Sequence, residues 1–398
     1  MWHVFLSLSL LGLVAGLSEA PVMAYVAEIT EPHLRGILST LSPLAVVSGV
    51  FAQFVIGGFL HWRIVALISC AVPIFNFFCL LAMPETPYWL LFHNKLEEAR
   101  KSLAWVRGWT TVEDVEQELR EMEQFVKEKL CRVDHQTKDG GKRLCEKYFR
   151  KNFLWPFSLI TVLFFILCFS GVLMLQIYGV VIFATLKVPM DKYYAEMLMG
   201  LSQLLGSMAS VFAVRICGKR VMAFVTIGGL FVLNFCFATY AYVANIERLD
   251  FAGVDTSSSS SSSEYMAWIP LVLVILISFV GHCGPRVLPW IMMGEIFSNY
   301  MRAEGCAFTG CMYYILFAAA SMGYLNMIST LTFSGVYWTY AGVCFFGIVF
   351  VYYYALPETE GKTLVDISHH FSGQEKLSNK VNRKSISAPS PSSALGPV

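Results

Sequence analysis

The chain has 398 residues, of which 56% are hydrophobic and only 14% charged, and its mean hydropathy is +0.58. A soluble domain of that size does not carry so apolar a composition, and a net charge of +1 offers no global field for nucleic acid or an acidic partner. The sequence holds no nucleotide-binding loop, catalytic triad or metal-ligand cluster, so neither an enzyme nor a cofactor is expected.

Nine apolar runs are long enough to cross a bilayer, a helical span needing about 20 residues. They lie at residues 4–27, 40–60, 64–83, 155–183, 194–214, 221–243, 267–292, 306–329 and 335–355. Runs of this length are too long for membrane strands, so the expected class is an all-α helical bundle in lipid. The first run, with Leu17-Ser18-Glu19-Ala20, has the look of a secretory signal. No Lys or Arg precedes it, however, and the run continues through Ala27, which favours a span.

Four segments follow in chain order. Residues 1–84 hold three runs. Residues 85–152 are polar, with apolar spacing around Leu96–Leu103 and Val112–Leu130 that predicts amphipathic helices in a cytoplasmic linker. Residues 153–356 hold six runs, interrupted by a Ser-rich loop at 256–263 that reads as an outer tether. Residues 357–398, rich in Ser, Pro and Lys, form a partly disordered tail. Fourteen of the twenty-nine Lys and Arg residues fall in 85–152 and five in the tail. With those two segments inside, twenty-four basic residues are cytoplasmic, four are outside and Arg286 lies within a run, which places the C-terminus in the cytoplasm. Eleven scattered cysteines, without a CxxC, read as small apolar residues.

Charged residues punctuate the runs in a repeating way. Glu28 and Arg35 follow the first run, and Glu295 and Arg302 repeat that spacing 267 residues later. Pro84-Glu85-Thr86 and Pro357-Glu358-Thr359 then close corresponding blocks. Internal duplication in a multi-span protein points to a transporter, whose solute site lies at the repeat interface. The carboxylate–guanidinium pairs, with Glu85 and Glu358 nearby, either clamp the cytoplasmic side as a gate or simply anchor helix ends in the interface.

These motifs resemble the sugar porters of the major facilitator superfamily, and are similar in flavour to its insect facilitated trehalose transporter branch. Pro84-Glu85-Thr86-Pro87-Tyr88-Trp89-Leu90-Leu91 with Arg107-Gly108 is similar to the signature after that family's sixth span. Tyr25-Val26-Ala27-Glu28 with Arg35-Gly36 resembles its loop between spans four and five. Pro289-Trp290 with Gly294-Glu295-Ile296-Phe297 resembles its tenth span, and Pro357–Leu364 its C-terminal motif. The resemblance covers residues 10–368 and implies a bundle equivalent to spans four to twelve, lacking the first three. It also implies that Leu167, Cys168 and Leu173 stand where the family places sugar-binding amides, that Tyr313 replaces an asparagine and Pro43 a glutamine, and that Trp290 is retained. Arg215 stands where the family's cytoplasmic network has an aspartate.

Glu19 and Arg286 are the strong charges placed deep inside runs, each nine residues before its motif glutamate and 267 apart. An isolated charge at such depth costs roughly 2.5–3.5 kcal/mol. The two therefore either pair across a cavity, bind a charged solute together, or each face a wet vestibule. His282, one turn from Arg286, and Gln176, Tyr178 and Tyr314 complete the candidate site. The expected function is passive sugar transport, of trehalose or hexose, in the plasma membrane, with a sugar and the lipid bilayer as partners. Two alternatives stay open: a transport-incompetent solute-binding or regulatory membrane protein, and a carrier of a charged non-sugar solute.

Overall fold

A computed structural model describes residues 2–29, 35–108, 115–137, 151–249, 268–297 and 302–353. Each of the nine predicted runs falls on helix among these residues. Seven helical stretches among them have the length and hydropathy to cross a membrane. The Ser-rich loop at 256–263, Glu358 and the tail lie outside the described residues.

The chain divides into two compact units, Met1–Leu41 with Leu60–Arg150, and Ser42–Phe59 with Lys151–Val398. The first contains α1 (Trp2–Ile29), the start of α2 (Arg35–Phe59), α3 (Trp62–Leu81), and three polar-flanked helices, α4 (Pro87–Phe92), α5 (Leu96–Val106) and α6 (Glu116–Thr137). Among the described residues of this polar stretch, α4, α5 and α6 pack together. Leu90, Leu91, Leu103, Leu119 and Val126 come together as a small apolar core, while ion pairs lie outside it, Arg100 with Glu97 and Glu116 (both 3.1 Å) and Arg107 with Glu118.

The Pro84-Glu85-Thr86 signature works here mainly through its backbone. Thr86 caps α4, its hydroxyl accepting the Trp89 N–H at 3.2 Å, and Pro87 takes the first turn where no N–H is needed. Ser102 of α5 donates to the Glu85 carbonyl, and Tyr25 of α1 donates to the Pro84 carbonyl at 3.0 Å. Arg107 reaches the Ile29 carbonyl at 3.0 Å, satisfying an acceptor in the last turn of α1.

The second unit is built from helices that break. Helix α7 (Lys151–Cys168) passes to α8 (Val172–Thr185) through a turn at Phe169–Gly171, and both lie in one apolar stretch of 33 residues. After α9 (Lys192–Cys217) and α10 (Lys219–Val243), α11 (Ile269–Cys283) passes to α12 (Leu288–Ile296) through Gly284–Val287. Helix α13 (Arg302–Tyr353) turns at Thr332, whose φ of 67° and ψ of 165° are not helical. At 1.5 Å per residue a straight helix of this length would be about 78 Å long, more than twice the hydrocarbon core, so the turn makes two spans of it. The Phe333 N–H, freed there, donates to the Glu247 carbonyl at 2.9 Å.

Each break has a stated cause. Gly171 sits at φ +84°, a left-handed conformation that a side chain resists, and a Cβ there would lie 2.8 Å from the Tyr340 ring. Asn234, fully buried on α10, donates to the Ser170 carbonyl at 3.1 Å. At the second break Pro285 lacks an N–H, and Gly284 lies so close to Thr226 of α10 that no Cβ fits. Elsewhere small residues bring helices together: a Cβ at Gly206 of α9 would meet the Phe279 carbonyl of α11 at 2.4 Å. Large apolar side chains such as Phe212, Ile216 and Val225 point outward, as a surface in contact with lipid requires.

Asn234→Leu leaves the Ser170 carbonyl without its buried donor. The substitution is expected to lower stability by about 1–3 kcal/mol, read as a drop in the thermal unfolding temperature of the detergent-purified protein, and an unchanged melt would remove the amide's assigned role.

Candidate functional site

Within the second unit the two breaks lie against each other. A Cβ at Gly281, one turn before the second break, would come 2.4 Å from Val172, the first residue of α8. Arg286 occupies the second break, its backbone N–H closing on the Gly281 carbonyl at 3.0 Å. Beside it is a cavity of about 360 Å³, a size suited to a small solute. Helix α2 supplies Gln53 and Phe54, and α8 supplies Leu173 and Gln176. Arg286, Tyr313 and Phe317 complete the wall that matters chemically.

Arg286 donates to the Tyr313 hydroxyl at 3.1 Å, which fixes the direction of the guanidinium. A guanidinium carries five N–H donors, so this contact uses a fraction of its capacity. No carboxylate lines the cavity among the described residues. Tyr313 is set in an aromatic cluster, with Phe164 at 4.9 Å, Trp290 at 5.1 Å edge-on and Phe317 stacked at 6.0 Å between centroids. The surface thus offers an aromatic face, two amides and one cation.

The sequence-predicted site residues take different places. Arg286, Tyr313 and Gln176 line the cavity, as does Leu173, which stands at a family amide position. Trp290 backs the Tyr313 ring and is not among the lining residues. Tyr314 packs beside Tyr313 at 5.2 Å and is partly exposed. Tyr178 packs on Tyr324 at 4.9 Å. His282 is buried, and its Nδ1 lies 2.9 Å from the Ser278 carbonyl, so that nitrogen carries the proton. The side chains of Glu19, Glu28, Arg35, Arg215 and Arg302 lie outside the described residues, although the helices bearing them are placed.

Glu295, expected beside Arg302, makes a buried ion pair with Lys219 at the start of α10, Nζ lying 2.6 and 2.8 Å from the two carboxylate oxygens. Lys219 is 2% exposed, so one charge of the pair is almost wholly out of water. Glu85 keeps its side chain exposed.

Several residues had no role in the sequence-based account. Gln53 is the one amide in α2, a signal in an otherwise apolar span. Glu196, two residues into the run 194–214, is also buried, pressed against Gly179, and its Oε2 has no hydrogen-bond partner among the described residues. Lys219 and Asn234 announced themselves as a cation and an amide at helix positions, but only packing shows what they hold.

Residues 1–371 match the family model described as sugar (and other) transporter. The chain is 26% identical over 387 residues to the facilitated trehalose transporter Tret1 of Drosophila willistoni, covering 96% of this chain and 42% of that protein. Identity is also 26% to the facilitated trehalose transporter Tret1-2 homolog of Drosophila sechellia, over 95% of this chain and 73% of that one. The chain therefore spans less than half the length of the Drosophila willistoni relative. Among solved structures it is similar to the major facilitator superfamily proton:xylose symporter XylE bound to 6-bromo-6-deoxy-D-glucose. That likeness has a TM-score of 0.64 at 17% identity, over 88% of this chain and 70% of that chain, and it is a likeness of fold.

Lys219→Met removes the buried cation from the pair with Glu295 and is expected to lower stability, with Lys219→Met/Glu295→Gln recovering much of the loss. Thermal unfolding of the three proteins in detergent checks this, and a double variant as unstable as the single one would contradict a direct pairing.

Proposed function

Since this chain belongs to the sugar (and other) transporter family and has the all-α fold of the major facilitator superfamily, we propose that it binds a sugar-class solute in the cavity beside Arg286 and carries it passively across the membrane. The observation that carries the reading is the cavity itself. It lies at the adjoining breaks of two interrupted helices, and it combines the Tyr313–Phe317 aromatic face with the amides of Gln53 and Gln176. An aromatic face suits the apolar side of a pyranose ring, and amides satisfy hydroxyls that have left water. Interrupted helices at a repeat interface are where secondary transporters place their solutes.

Transport in this reading is a rocking of helix bundles about the cavity. The Lys219–Glu295 pair is one of the contacts that hold the cytoplasmic side closed, and the motif residues Glu28, Arg35, Glu85, Arg215, Arg302 and Glu358 share that side. The plasma membrane is the proposed location, with the C-terminus cytoplasmic because the basic residues of 85–152 and of the tail are retained there. The trehalose named for the Drosophila relatives, like glucose, is a candidate solute.

Proteoliposomes containing the full chain test the reading, with labelled trehalose, glucose and glucuronate assayed for saturable counterflow. At least one sugar is expected to exchange. Gln176→Leu is expected to lower transport efficiency about tenfold, the equivalent of one lost hydrogen bond of about 1.4 kcal/mol. Flux no greater than in empty liposomes for all three sugars would overturn it.

A further inference from the structure

The solute cavity holds a guanidinium and, among its described lining residues, no carboxylate. We propose that the solute it receives is an acidic sugar, whose carboxylate or phosphate docks on Arg286 at the break between α11 and α12. This rests on the reading of the cavity as the solute site.

Two observations point the same way. First, Arg286 is held ready: its hydrogen bond to Tyr313 aims the side chain and leaves donors for a second acceptor. A fork of N–H groups matches the two oxygens of a carboxylate or phosphate, and such charge-assisted contacts are the strong ones. Second, the surroundings offer the cation little compensation. Leu173, Ile177, Phe54, Val50 and Phe317 are apolar, and the polar neighbours Gln53, Gln176 and Tyr313 are uncharged. An anion that docks on the guanidinium lowers the cost of holding a charge at membrane depth. His282 on α11, with its Nδ1 N–H directed at the Ser278 carbonyl, supplies no negative charge.

The remaining lining restricts the rest of the molecule. The aromatic face and the two amides suit a polyhydroxylated ring, so the anion is expected on a sugar and not on an aliphatic acid. Arg286 is thereby the specificity-determining residue for solute charge.

Equilibrium binding of glucuronate, glucose 6-phosphate and glucose to the full chain in nanodiscs is the test, with the unmodified protein, Arg286→Gly and Arg286→Lys. At least one acidic sugar is expected to bind about tenfold tighter than glucose, as one charge-assisted hydrogen-bonded contact provides. Tighter glucuronate identifies a carboxylate, and tighter glucose 6-phosphate a phosphate. Arg286→Gly is expected to abolish the preference for the acidic sugar over glucose. Arg286→Lys is expected to keep part of it. Equal affinities in the unmodified protein, a result that needs no variant to fold, would overturn the proposal while leaving the cavity as a sugar site. A preference that survives Arg286→Gly would overturn it as well. Binding of none of the three sugars would remove the sugar-site reading itself and this inference with it.

Discussion

A helix interrupted inside hydrocarbon frees backbone donors and acceptors that have no water to turn to, and the second unit is organised around satisfying them. At the first break the Ser170 carbonyl is taken by Asn234, an amide with no other reason to be fully buried in an apolar span. Gly171 supplies the left-handed turn, with Tyr340 packed where a Cβ would be. At the second break Pro285 has no N–H to satisfy, the N–H groups of Arg286, Val287 and Leu288 close on Gly281 and Gly284, and Thr226 fills the space beside Gly284. These contacts hold the two breaks adjacent to each other. The cavity is the consequence: Arg286 occupies one break, and Leu173 and Gln176 follow the other.

The same economy governs the first unit at the membrane surface. The carbonyls of Pro84 and Glu85 and the end of α1 are gripped by Tyr25, Ser102 and Arg107, so a signature that reads as charge chemistry works largely as backbone anchorage. In the second unit the charge chemistry is direct. Lys219 is almost wholly out of water in its pair with Glu295, and desolvation makes such a pair costly to separate.

The element types were legible from composition alone: runs of about 20 apolar residues admit only helices in a bilayer, and the polar stretch 85–152 announced amphipathic helices through its spacing. The breaks were half legible. Gly171, Gly284 and Pro285 mark weak points inside runs that read as single spans, whereas the turn at Thr332 falls in the gap between the runs 306–329 and 335–355 and is anchored by the Phe333–Glu247 contact from a distant loop. For the site, Arg286, Gln176 and Tyr313 stood out as polar or substituted positions in apolar runs. Gln53 carried the same signal and was passed over because no motif surrounds it. Trp290 was expected at the solute and instead supports the ring of Tyr313, since sequence spacing does not say which face of a short helix looks into a cavity. Lys219 was invisible as the partner of Glu295 because the two are 76 residues apart and only the packing of α10 against α12 joins them.

The central claim is that solute occupies the cavity at the two helix breaks. Photo-cross-linking with a diazirine-bearing glucose, followed by peptide mapping of the full chain, tests it most directly. Label on the segments carrying Gln53, Gln176 and Tyr313–Phe317, suppressed by excess glucose or glucuronate, is the predicted result. Competable label confined to segments that contribute nothing to the cavity, such as 62–81 or 219–243, would contradict the account.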